Sequence, residues 1–243
     1  MMTDSRATAL LLSTTLACAF GCSPAALPRR LPKAARRQTE ETGAGTRYLL
    51  HLPAGYESRT ALPLILFLHG AGERGDDLAL VLREGLPHLL ETLPDFPFVV
   101  VSPQESRARR WTSDGLIALV DDVLGRYRAD RLRVSVTGLS SGATAALELA
   151  IAHPDRIAAV VPVSFTAIPS DLCRMKDVPA WIFHDSGDER VPAGRAKKLA
   201  AELRACGGKG EAKLTIFPAE GHDAWTEAYR TRALFDWLLR QRR

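Results

Sequence analysis

The chain has 243 residues, enough for one domain with a short appendage and for a core that needs neither a disulfide nor a metal to hold it. Apolar residues make up 46% and charged residues 25%, with only 4 cysteines, which excludes a wholly disordered chain, a collagen-like repeat and a disulfide-knotted miniprotein. The net charge of +4 is too mild to point to nucleic acid, and no internal apolar run reaches the ~20 residues of a membrane-spanning helix.

Residues 1–21 have a short polar start, an apolar run from Ala7 to Phe20 and then small residues, the pattern of a secretory signal peptide. Ala19-Phe20-Gly21-Cys22-Ser23 resembles the cleavage region of a bacterial lipoprotein, in which the cysteine carries the lipid. Cys22 is the expected lipidation site and Cys18 its rival; the alternative is a soluble secreted chain whose signal merely contains cysteine. The expected location is therefore outside the cytoplasm, in the bacterial cell envelope through a lipid on Cys22, or periplasmic or extracellular. Residues 22–45 hold Pro24, Pro28, Pro32 and the basic residues Arg29, Arg30, Lys33, Arg36 and Arg37. This composition predicts a disordered tether, either solvated or lying on anionic lipid headgroups. Residues 46–243 are the expected folded domain.

Within that domain strands alternate with helices. Tyr48–Leu52 is a candidate antiparallel first strand. Leu62–Leu68 (LPLILFL) is a continuous apolar run, as in a strand covered on both faces, and Leu78–Leu90 has helical spacing. Strand Phe98–Ser102, amphipathic helix Gly115–Tyr127, strand Leu132–Thr137 and helix Ala143–His153 follow. Strands Ile157–Val163 and Ala180–His184, helix Ala193–Ala205, strand Lys213–Phe217 and helix Thr226–Arg240 complete the chain. The alternation predicts an α/β fold, a mostly parallel central sheet with helices on both faces.

Gly138-Leu139-Ser140-Ser141-Gly142 matches G-x-S-x-G, and it stands between a predicted strand and a predicted helix. A strand-to-helix turn that tight needs neighbours without bulk, and it lifts the Ser140 hydroxyl above the sheet. A serine hydroxyl needs a base and a group that orients the base. His222 directly follows the sixth core strand and is the expected base. Asp188, after the fifth, is the expected acid; Asp185, Glu189 and Asp223 are rivals, and a turn or helix cap is the structural alternative. An oxyanion needs two backbone N–H donors: Ser141, at a helix N-terminus, and Ala71 in the loop His69-Gly70-Ala71-Gly72, with Gly72 as the alternative.

These segments resemble the esterase and predicted-peptidase branch of the α/β-hydrolase superfamily, which includes phospholipase/carboxylesterase-like and feruloyl- or acetyl-esterase-like enzymes. The resemblance is carried by Phe67–Asp76 (FLHGAGERGD), Ser102-Pro103-Gln104, Val136–Gly142, His153-Pro154-Asp155-Arg156 and Gly221-His222-Asp223-Ala224-Trp225. It implies an α/β-hydrolase fold, Ser140, Asp188 and His222 as a catalytic triad, and ester hydrolysis through an acyl-serine without a cofactor. The sequence departs from the pattern at Ala143, where the family usually has a second glycine, and at His184-Asp185, where it usually has His-Gly. The stretch Ser164–Val178 leaves no room for a large lid, so small acyl or aryl esters, free or attached to a polymer, are the expected substrates. Trp111, Phe165 and Trp225 are candidates to line the pocket, with core packing as the alternative; Arg107, Arg109 and Arg110 are either a solvated loop or an attraction for an anionic substrate. A serine peptidase of the same superfamily and a non-catalytic envelope ligand-binding protein remain as other readings. No metal site or nucleic-acid partner is expected. Cys173 and Cys206 either pair or are two buried small side chains.

Overall fold

The computed structural model describes Met1, residues 37–93 and residues 95–243. The expectations for the signal peptide, Cys18, Cys22 and most of the basic tether fall outside the described residues.

Among the described residues eight strands form one sheet: β1 (Thr39–Gly43), β2 (Thr46–His51), β3 (Leu62–Leu68), β4 (Val99–Pro103), β5 (Ala129–Leu139), β6 (Ala159–Val163), β7 (Ala180–Gly187) and β8 (Ala212–Glu220). Their spatial order is β1-β2-β4-β3-β5-β6-β7-β8. The pairs β1–β2 and β2–β4 are antiparallel and all the others parallel. Among the described residues the α-helices are α1 (Gly85–Leu90), α2 (Ser113–Arg126), α3 (Ser141–Ala152), α4 (Gly194–Ala205), α5 (Ala224–Arg230) and α6 (Arg232–Arg240).

All seven residues of β3 are buried, as a strand flanked by helices on both faces requires. The two-residue period of the strand divides them. Leu64, Leu66 and Leu68 join a core with residues of α2, α3 and α4, while Ile65 and Phe67 join another with α1, α5 and α6. The chain leaves β3 for β4 on one side and then returns to β5 on the other. The loops that follow β3 and β5 therefore diverge, opening a crevice at the carboxyl ends of the strands.

Several predicted boundaries are corrected. Thr39–Gly43, assigned to the tether, forms β1; it joins β2 through Ala44 and Gly45, both at positive φ (47° and 73°), as a tight hairpin demands. The helix expected over 78–90 is a 3₁₀ segment, Leu78–Arg83, followed by the short α1. Gly85 breaks it at φ 66°, where a Cβ would sit 2.8 Å from the Phe67 ring. The last expected helix is two, α5 and α6, separated at Thr231 (ψ 100°). Cys173 and Cys206 form a disulfide that ties a 3₁₀ turn, Leu172–Met175, to the end of α4. Closing a loop with a sequence separation of 33 removes denatured-state entropy equivalent to about 4 kcal/mol.

Candidate active site

Ser140 sits between β5 and α3 at φ 53°, ψ −118°, a conformation disfavoured for any side-chain-bearing residue. It is held there from both sides. Its N–H donates to Val163 O (2.9 Å) on β6, and its carbonyl accepts the N–H of Ala143 (3.1 Å). The flanking glycines are a steric necessity. A Cβ on Gly138 would lie 2.5 Å from Gly142 C, and one on Gly142 would lie 2.2 Å from Leu68 O.

His222 follows β8 between Gly221, at φ 90°, and Asp223, whose carboxylate caps α5 by accepting the Thr226 N–H. Its Nε2 is 2.9 Å from Ser140 Oγ and its Nδ1 is 2.6 Å from Asp188 Oδ2. A carboxylate only accepts, so Nδ1 carries the proton and the Nε2 lone pair faces the serine hydroxyl. Asp188 Oδ1 accepts the N–H groups of Arg190 (2.9 Å) and Val191 (2.8 Å). One oxygen of Asp188 thus serves the turn and the other faces the His222 ring. His184, fully buried, donates from Nε2 to Val191 O (2.8 Å) and lies 3.3 Å from Asp188 Oδ2, bracing the same turn.

The rivals for the acid position lie elsewhere. Glu189 is exposed, and Asp223 is the α5 cap. Asp185, the departure from the family pattern, is buried, and its Oδ2 accepts the Asp223 N–H (3.3 Å). It ties the His222 loop to the end of β7. Burial pushes its carboxyl above the ordinary range.

The loop after β3 comes against the elbow: a Cβ on Gly70 would be 3.6 Å from Ser140 Cβ. Ala71 and Gly72 follow, exposed, in a 3₁₀ turn. Among the described residues no hydrogen bond takes up the N–H of Ala71, Gly72 or Ser141. His69 fixes the base of this loop. Its Nε2 accepts the Glu105 N–H (2.9 Å), so Nδ1 carries the proton and donates to Gly70 O (2.6 Å). Burial pulls its pKa down to about 4, which keeps the ring neutral and structural. Glu105, which the sequence reading missed, is buried and receives Arg74, Arg110 (3.2 Å) and the Trp111 N–H (3.0 Å). Its only trace in the sequence is a lone acid between a buried strand and an arginine-rich loop.

Of the candidate pocket residues, Trp225 stands edge-on to the His222 ring at 5.4 Å and donates from Nε1 to Glu84 (3.1 Å). Trp111 lies over His69 at 4.7 Å. Phe165 does not line a pocket. The preceding Ser164 turns the chain at φ 47°, and the Phe165 ring drops fully buried into the core, edge-on to His184. A cavity of about 250 Å³ has Trp111 in its lining, and another of about 240 Å³ has Trp225.

No family model and no curated protein matches the chain. Solved structures do. A thermostable esterase superposes over 85% of this chain with a TM-score of 0.71 and 25% identity, and this chain spans 64% of that esterase. The fold is that of the α/β-hydrolases. A thermophilic esterase, Est2, of the planctomycete Thermogutta terrifontis, in its propionate-bound structure, covers 86% of this chain and is 95% covered in turn, at 14% identity and a TM-score of 0.65. The Pyrococcus horikoshii acylaminoacyl peptidase covers 84% of this chain, at 15% identity and a TM-score of 0.58, but only 41% of the peptidase is matched. Esterase 2 of Thermogutta terrifontis also has a solved structure phosphorylated by paraoxon.

Proposed function

We propose that the chain is a serine esterase that cleaves carboxylic esters through an acyl-serine. The observation that carries the reading is the unbroken relay from Ser140 Oγ to His222 Nε2 (2.9 Å) and from His222 Nδ1 to Asp188 Oδ2 (2.6 Å), at a strained strand-to-helix turn. Nε2 takes the hydroxyl proton as Ser140 Oγ attacks the ester carbonyl, and Asp188 stabilises the imidazolium that forms. The tetrahedral oxyanion accepts N–H groups from Ser141 and Ala71, with Gly72 as the alternative donor, and the α3 N-terminus adds its dipole. The C–O bond breaks, the alcohol leaves with the proton from Nε2, and a water activated by the same nitrogen releases the acid.

The esterases among the structural neighbours support ester rather than peptide substrates, and they match over more of their own length than the peptidase does. We place the enzyme in the bacterial cell envelope, exported through residues 1–21 and anchored by a lipid on Cys22. The Cys173–Cys206 disulfide favours an oxidising compartment. Small acyl or aryl esters, free or polymer-linked, are the proposed substrates.

The test is hydrolysis of p-nitrophenyl acetate by the parent, Ser140→Ala and His222→Ala, with paraoxon as a stoichiometric probe. Activity in the parent, its loss in both variants and inactivation by one equivalent of paraoxon are expected. A folded parent without activity would favour a binding protein, and an active Ser140→Ala would overturn the nucleophile.

A further inference from the structure

Residues 69–76, the loop after β3, hold one acid whose place the triad does not explain. In the 3₁₀ turn Ala71–Glu73 the small residues Ala71 and Gly72 are exposed, while the charged Glu73 is buried. On a surface turn that reverses the ordinary arrangement, because a carboxylate is costly to bury unless donors receive it. Glu73 turns back against the backbone of its own loop, on the side that faces the elbow. A methyl placed on Gly70 would lie 3.2 Å from Glu73 Oε2 and 3.6 Å from Ser140 Cβ, so a single methyl would touch both the carboxylate and the nucleophile.

Burial, and then the nearby Glu84, push the Glu73 carboxyl above the ordinary range. The N–H groups of Gly70 and of Glu73 itself oppose them by donating to it, the latter shared with Gly70 O (3.4 Å), and Arg83 adds its charge. Glu84 is engaged elsewhere: its Oε2 accepts the indole N–H of Trp225 (3.1 Å). The rest of the turn is fixed through its carbonyls. Gly70 O accepts His69 Nδ1–H (2.6 Å), and Glu73 O accepts Gln104 Nε2–H (2.8 Å). With the Gly70 N–H held inward by Glu73, the N–H groups of Ala71 and Gly72 are left without an acceptor among the described residues.

We propose that Glu73 is a positioning residue of the hydrolytic site: its carboxylate holds the Gly70 N–H and so aims the N–H groups of Ala71 and Gly72 at the oxyanion. It touches neither the ester nor the triad. A displacement of about 1 Å in such a donor can cost about 100-fold in rate, so a side chain that fixes the turn is felt in the chemical step. The proposal deepens the esterase reading and rests on it for the oxyanion that the turn serves.

Glu73→Met fills the same space without an acceptor. Hydrolysis of p-nitrophenyl acetate is compared with that of its thionoester, in which sulfur replaces the carbonyl oxygen and accepts hydrogen bonds weakly. We expect kcat on the oxygen ester to fall roughly tenfold or more, with KM within about threefold of the parent, while the thionoester rate changes little. The parent's preference for oxygen over sulfur should shrink by the same factor, whereas a merely structural defect would slow both esters alike. Glu73→Gln, which keeps one acceptor oxygen, should retain more of the preference than Glu73→Met. Amide exchange at Gly70, read by NMR, should be faster in Glu73→Met by roughly tenfold or more. A folded Glu73→Met protein with the parent's oxygen preference, one with the parent's exchange at Gly70, or a Glu73→Gln protein no better than it each overturns the proposal. If Glu73→Met does not fold, Glu73→Ala is read against the same outcomes. A parent that hydrolyses neither ester strikes the esterase reading instead, and the exchange measurement, which needs no turnover, still decides whether Glu73 holds the turn.

Discussion

Asp188→Asn separates the two jobs that one carboxylate performs. In the parent, Oδ1 accepts two backbone N–H groups and Oδ2 accepts the His222 Nδ1 proton. Asparagine keeps only one acceptor oxygen. Two N–H donors, from Arg190 and Val191, converge on the Oδ1 position, so the amide oxygen must stay there. The amide NH₂ then stands where Oδ2 was, opposite His222 Nδ1 and near the Nε2–H of His184. A donor at that position forces Nδ1 to accept, which moves the imidazole proton to Nε2. Nε2 then donates to Ser140 Oγ and cannot take its proton. A wrong-tautomer histidine costs about 10⁴ in kcat, or about 5 kcal/mol on the barrier. Stability should change far less. Both turn bonds persist, weakened from charged to neutral acceptors by about 1 kcal/mol each, a fall of about 8 °C at most. Asp188→Ala should be as inactive and less stable, since it leaves two N–H groups without an acceptor at about 1–3 kcal/mol each. The assay is kcat on p-nitrophenyl acetate alongside thermal melting of the three proteins. An Asp188→Asn enzyme within tenfold of the parent would refute the assignment of the acid.

Gly142→Ala places a Cβ 2.2 Å from Leu68 O and 2.4 Å from His69 O, both backbone atoms at the end of a strand paired to β5. Relief requires moving that strand end, so we expect a loss of about 3 kcal/mol or more, read as a lower melting temperature; a Tm within about 2 °C of the parent would contradict the steric argument. His69 supplies an acid-labile element. Its folded pKa of about 4 lies below the unfolded value of about 6.5, so between those values the unfolded chain binds a proton that the folded one does not. Stability is full above about pH 6.5 and falls by about 3 kcal/mol as the pH drops to about 4. Urea titrations of parent and His69→Gln across that window should show a flatter pH slope in the variant, and parallel slopes would count against the buried neutral ring.

The elements that the sequence determined by itself are those whose signal is local. LPLILFL reads as a buried strand because only a strand covered on both faces is apolar at every position, and Gly138 and Gly142 announce a turn because nothing larger fits beside a neighbouring backbone. Ser140 and His222, which the structure brings to 2.9 Å, were picked out for the same reason: each immediately follows a recognisable strand. The hairpin at Ala44–Gly45 was missed because β1 is short, polar and at the edge, so no apolar period marks it. The break at Gly85 was missed because the side chains that leave no room for a Cβ there, Phe67 and Leu139, are distant in sequence. Asp188 was separated from Asp185 only by the folded turn, which sends one carboxylate to His222 and the other to the Asp223 N–H. Phe165 and Trp225 look alike as aromatic residues near motif segments, yet Phe165, after Ser164 at positive φ, is buried while Trp225 stands against the His222 ring. Periodicity and steric need act on neighbours along the chain and are written in it. Which carboxylate meets which imidazole depends on β5, β7 and β8 delivering their ends to one edge of the sheet, and that is a property of packing between segments distant in sequence.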